Sequence, residues 1–123
     1  MDFSGYGCVN CRKMEGAVFD TQEVSSIIKE KFVLITLMVD DKTSLEKNIE
    51  VNENGKAVML KTIGDKWSYL QRSKFAANSQ PYYVMLDNEG KPLASPYYYD
   101  ENVAKFVEWL NSGLKAYSSE VKL

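Results

Sequence analysis

Two cysteines stand three positions apart in Cys8-Val9-Asn10-Cys11, and the chain has no others. A glycine loop, Ser4-Gly5-Tyr6-Gly7, precedes them, and helix-forming residues follow. That spacing suits thiol–disulfide exchange. A cysteine at a helix N-terminus has its thiolate stabilised by unpaired N–H groups and by the macrodipole. A second cysteine one turn on can attack a mixed disulfide formed on the first and release the partner. The rest of the composition narrows the field. No histidine is present, which removes Ser-His-Asp and Cys-His catalysis and any metal site built on imidazole. Two cysteines cannot supply a four-thiolate zinc or iron–sulfur site from one chain. The 15 basic and 17 acidic residues leave a net charge of −2, so no basic footprint points to nucleic acid. Chemistry in this chain rests on thiols, carboxylates, lysines or tyrosines. Other readings of the pair stay open: a structural disulfide, a metal site shared with a second chain, or an inert pair. Closing so short a loop contributes only about 2 kcal/mol through chain entropy, which weighs against the first.

The elements that must position the thiols follow from periodicity. At 123 residues, 45% hydrophobic and 26% charged, the chain is expected to be one globular domain, residues 1–123. Asp2-Phe3 reads as the end of a strand, and so as the opening of a piece of a longer protein. Arg12–Phe19 reads as a helix with Met14, Val18 and Phe19 inward. Asp20, with Glu23 three residues on, is expected to cap a second helix whose buried face is Val24, Ile27 and Ile28. The apolar run Lys31–Asp40 predicts a strand covered on both faces. Residues 41–63 are polar and read as an insertion containing a hairpin at Asn54-Gly55. A helical pattern runs from Gly64-Asp65 through Trp67, Leu70 and Phe75. Tyr82–Asp87 and Lys91–Tyr98 predict two further strands joined at Asn88-Glu89-Gly90, the second broken by Pro92 and Pro96. Asp100 is expected to cap a last helix with Val103, Phe106, Val107, Leu110 and Leu114 on one stripe. Residues 118–123 are expected to form a frayed tail. The order predicts an α/β fold with a central mixed sheet flanked by helices. No apolar run approaches the roughly 20 residues that span a bilayer, and no signal peptide is legible.

The segments DFSGYGCVNCRKME at 2–15 and QPYYVMLDNEGKPL at 80–93 resemble the thioredoxin fold. Within it they resemble the C-terminal periplasmic domain of the disulfide-interchange protein DsbD. Similarity of element order covers most of the chain, but the family's first strand and helix have no counterpart, and nothing is carried over to residues 41–63. The missing elements are expected to leave a sheet edge and part of one face uncovered, compensated by self-association or a shifted N-terminus.

The resemblance implies Cys8 as nucleophile and Cys11 as resolving thiol. Pro81 matches the family's cis-proline, which leaves the backbone at Gln80 free to pair with an extended substrate; Tyr6, Val9 and Asn10 are candidate partner contacts. Asp2 matches the buried acid beneath the disulfide and Glu15 a second acid near the thiols. Without histidine, a carboxylate is the available proton acceptor for Cys11. The implied function is a protein-disulfide reductase domain relaying electrons from a membrane-embedded cysteine pair to periplasmic proteins. It would need no cofactor beyond the Cys8–Cys11 disulfide and no metal. It would be fused to a transmembrane region, and its partners would be other thiol or disulfide proteins rather than nucleic acid. The alternatives are a free-standing periplasmic thioredoxin for cytochrome maturation and a non-catalytic interaction module.

Overall fold

The computed structural model describes residues 1–120. Strand β1 (Asp2–Ser4) leads through the glycine loop into helix α1 (Val9–Met14), which continues as a π-helical turn, Glu15–Phe19. Helix α2 (Gln22–Lys31), strand β2 (Thr36–Met38), a hairpin of β3 (Ser44–Glu53) and β4 (Lys56–Thr62), helix α3 (Ile63–Phe75), strand β5 (Tyr82–Tyr83) and helix α4 (Val103–Glu120) complete the order. The central sheet has the order β2-β1-β5, with β2 parallel and β5 antiparallel to β1. It is a mixed sheet with helices on both faces, a thioredoxin-like arrangement.

Alternation along the strands sorts the core into two layers. Phe3, Leu37, Tyr82 and Val84 face one way and meet Trp67, Leu70 and Phe75 of α3. Tyr83 and Met85 face the other way, against Met14, Val18, Val24, Phe106 and Leu110 from α1, the π-helical turn, α2 and α4. In β1, Asp2 and Ser4 alternate with Phe3, so both lie on the α1 side of the sheet.

Several elements differ from what periodicity predicts. The strand expected over Lys31–Asp40 shrinks to Thr36–Met38, because β1 offers only three residues to pair with. Val33, Leu34 and Ile35 are exposed, so this apolar run is not covered on both faces. Its outer edge carries no neighbour among the described residues. Thr21, not Asp20, caps α2 by accepting the Val24 N–H. The segment 91–98 forms no regular strand: it holds to the sheet through isolated bridges, Leu86 with Pro92 and Tyr83 with Tyr97. Pro92 and Pro96 have no N–H to sustain a ladder. At α4 the side chain of Asn102 accepts the Lys105 N–H, and Asp100 holds the Asn102 N–H one step earlier. Helix α4 continues through Glu120, past the point where polarity predicts fraying; residues 121–123 lie outside the described residues.

The hairpin turns at Asn54 and Gly55, both with positive φ (54° and 80°), as an Asn-Gly turn requires. Its register pairs Ile49 with Leu60, Val51 with Val58 and Glu53 with Lys56 on one face. That face meets α3: Glu53 accepts two hydrogen bonds from Arg72, at 2.7 and 3.0 Å. Helix α3 starts on a capping box in which Thr62 and Asp65 satisfy each other's backbone N–H groups. At its first turn Gly64 packs so closely on the chain after β2 that a Cβ would stand 2.6–2.7 Å from Val39 O and from Asp41 N and O.

Candidate active site

Cys8 and Cys11 are joined in a disulfide with a Cα–Cα distance of 5.3 Å. Cys8 is the N-cap of α1, with φ −87° and ψ 103°, and its sulfur accepts the Cys11 backbone N–H at 3.2 Å. Helix geometry makes the two sulfurs unequal. Cys8 stands half-buried at the entrance to the helix, while Cys11, one turn in, is only 2% exposed. An incoming thiol or disulfide therefore meets Cys8 first, and Cys11 is placed to react only with its neighbour. Among the described residues there is no free cysteine.

A buried carboxylate lies on the same side of the sheet as α1. Asp2 on β1 is 6% exposed, and its Oδ1 has no hydrogen-bond partner among the described residues. Burial pushes its pKa up to about 6. The N-terminal ammonium opposes that rise, the charge of Glu15 adds to it, and Arg12 opposes it. Asp2 lies level with Tyr83 across the β1–β5 register. The Tyr83 hydroxyl is held protonated by its own burial first and then by the charges of Asp2 and Glu15. Glu15, in the π-helical turn, is half-buried and takes a 3.0 Å salt bridge from Arg12. The same guanidinium donates to Ser4 Oγ and to Gly5 O, both at 3.1 Å. Asp2, Glu15 and Arg12 thus share one electrostatic neighbourhood at the base of α1.

The Gln80–Pro81 peptide is cis, and Pro81 is buried immediately before β5. Continuing the β1–β5 register by one residue sets Pro81 level with Ser4, at the strand end from which the cysteine loop departs. Gln71 of α3, fully buried, holds the approach to it. Its amide nitrogen donates to Ser79 O at 2.8 Å, and its oxygen accepts from the Gln80 side chain at 2.9 Å. Tyr6 and Val9 are exposed at 64% and 66%, and Asn10 is also exposed. These three flank Cys8 in sequence and present side chains to solvent beside it.

Asp40 joins this neighbourhood without any signal in the local sequence. It follows β2, more than 30 positions from the cysteine loop, yet its carboxylate accepts the backbone N–H of Tyr6 at 2.8 Å and of Gly7 at 3.0 Å. The Gly7 bond above all holds its pKa below the usual carboxylate range; burial opposes this, and the Tyr6 bond adds to it. Only the pairing of β1 with β2 brings the two segments together. Gln71 is the other residue that sequence reasoning missed, since a glutamine on a helix reads as surface until the helix is placed.

No helix among the described residues is long and apolar enough to cross a membrane. No curated protein matches the chain. The family model described as a thioredoxin-like domain matches residues 1–112, which include both cysteines, Asp2, Asp40 and Pro81. With its Cys-x-x-Cys disulfide at the head of a helix on a mixed sheet, the chain belongs to the thioredoxin-like domain family, and the pair supports a thiol–disulfide oxidoreductase.

Proposed function

We propose that the chain is a protein-disulfide reductase domain, similar to the electron-delivering end of a DsbD-type membrane reductase. The observation that carries this reading is the unequal pair: a reachable Cys8 capping a helix, and a buried Cys11 one turn behind it. In the reduced form the Cys8 thiolate attacks a partner disulfide. One partner sulfur leaves as a thiolate, and a mixed disulfide joins Cys8 to the other. Cys11 then loses its proton to a nearby carboxylate, Asp2 or Glu15, and attacks Cys8 Sγ. The partner departs with two thiols and the domain is left with the Cys8–Cys11 disulfide. Reduction by a membrane-embedded cysteine pair, through the same steps reversed, restores the dithiol. Tyr6, Val9 and Asn10 contact the partner, and Gln80 offers its backbone to an extended partner segment beside Pro81. The partners are other thiol or disulfide proteins, the setting is periplasmic, and the exchange needs no bound cofactor.

The test is a redox titration. The protein is equilibrated in glutathione or dithiothreitol buffers and alkylated, and the mass shift is read. A reversible two-electron transition at about −270 to −200 mV supports the reductase. A disulfide that resists reduction well below about −300 mV is structural, and overturns the proposal in favour of an interaction module.

A further inference from the structure

The loop between β1 and α1 has no secondary structure of its own to fix it, yet every backbone N–H from Tyr6 to Cys8 is engaged. Tyr6 and Gly7 donate to the two carboxylate oxygens of Asp40, at 2.8 and 3.0 Å, and Cys8 donates to Gly5 O at 3.2 Å. The fit is close as well as bonded. A Cβ at Gly5 would stand 3.2–3.4 Å from three atoms of the Asp40 carboxyl group, and one at Gly7 would stand 3.7 Å from Oδ2. The carboxylate lies over the loop where glycines leave room for it. Asp40 is itself held from behind. Val39 N donates to Ser4 O at 2.9 Å, Gly64 N donates to Asp41 O at 2.9 Å, and the absence of a side chain at Gly64 lets the first turn of α3 close on residues 39–41.

We propose that Asp40 is a positioning residue of the disulfide site: by accepting both N–H groups it fixes the loop that presents Tyr6, and the Cys8 sulfur beside it, to a protein disulfide. This rests on the oxidoreductase reading above. A carboxylate is the right group for the task, because two oxygens accept two diverging N–H donors where an amide offers only one acceptor. A small disulfide needs only the sulfur and does not need the loop. A protein disulfide must dock on the loop, and its rate depends on the loop being in place before the encounter.

The experiment compares the reduced parent with Asp40→Ala and Asp40→Asn on insulin and on bis(2-hydroxyethyl) disulfide, with amide hydrogen exchange followed at Tyr6 and Gly7. For Asp40→Ala, kcat/KM on insulin is expected to fall about 10- to 100-fold, mainly through KM, while the small disulfide reacts within about twofold of the parent rate. Asp40→Asn, which keeps the shape and one acceptor, is expected to fall between the two, and Tyr6→Ala to reproduce the loss on insulin. Exchange at Tyr6 and Gly7 should accelerate in both Asp40 variants. Unchanged rates on insulin overturn the proposal, as does an equal loss on both substrates, which would mean that Asp40 merely supports the fold. If Asp40→Ala does not fold, the same comparison on Asp40→Asn decides. Should the parent itself fail to exchange thiols, the oxidoreductase reading fails. The exchange data still judge the latch, since unaltered protection at Tyr6 and Gly7 in an Asp40 variant refutes it without any turnover.

Discussion

Replacing Asp2 by asparagine should make the oxidised protein more stable, and by an amount that depends on pH. The folded protein raises this carboxyl from its ordinary 3.8 to about 6. Between those two values the folded state holds a proton that the unfolded chain has released, so stability falls as pH rises through the window. Above about pH 6 both states are ionised, and the full cost of a buried, unpartnered charge is present. The displacement corresponds to about 3 kcal/mol at neutral pH, and to about 0.5 kcal/mol at pH 4. Asparagine has nearly the same shape and no charge, so Asp2→Asn removes the penalty. Urea denaturation of the oxidised protein, where the disulfide keeps both thiols from titrating, should show a gap between variant and parent that opens from pH 4 to pH 7. Taking the difference between the two proteins cancels the carboxylates that do not interact with Asp2. A gap that is constant with pH, or a variant less stable than the parent at pH 7, would refute the placement of a costly charge at Asp2. The same substitution bears on the proposed chemistry: if Asp2 takes the proton of Cys11, release of a trapped partner from Asp2→Asn should slow about 100-fold, as for the loss of a general base.

Cys11→Ser should accumulate a mixed disulfide with a protein partner through Cys8, visible on a non-reducing gel, whereas Cys8→Ser should form none; the reverse pattern would exchange the roles of the two sulfurs. Gly64→Ala should lose about 1–3 kcal/mol in urea denaturation, because its Cβ would stand 2.6–2.7 Å from backbone atoms that cannot swing away; a neutral result would mean that α3 and residues 39–41 are less tightly apposed. Gly16→Ala should do the opposite and gain about 0.4–1 kcal/mol: Gly16 is exposed within a helical stretch, and a Cβ there meets nothing within 4 Å.

The cysteine pair, the Asn-Gly hairpin and the apolar stripe of α4 were legible because each is a local pattern whose spacing carries its own physical reason. The site's supporting groups were not, and the difference is one of range. Asp2 could be assigned through resemblance to a sequence pattern, but its burial and its orphaned oxygen arise only when β5 and α1 close over β1. Asp40 reads locally as the polar end of a strand, and its partners Tyr6 and Gly7 lie across a parallel pairing that no short window contains. Gln71 needs both the placement of α3 and the course of residues 78–80 before its burial has a meaning. The misread run Lys31–Asp40 follows the same rule from the other side. Its residues are apolar enough for a fully covered strand, but coverage belongs to the neighbours, and β1 supplies three residues of pairing where ten were expected. In this domain the reactive atoms are fixed by local sequence. The polar side chains around them are placed by longer-range packing, Asp2 and Asp40 by sheet pairing and Gln71 by the seating of α3, so no short window of sequence contains their surroundings.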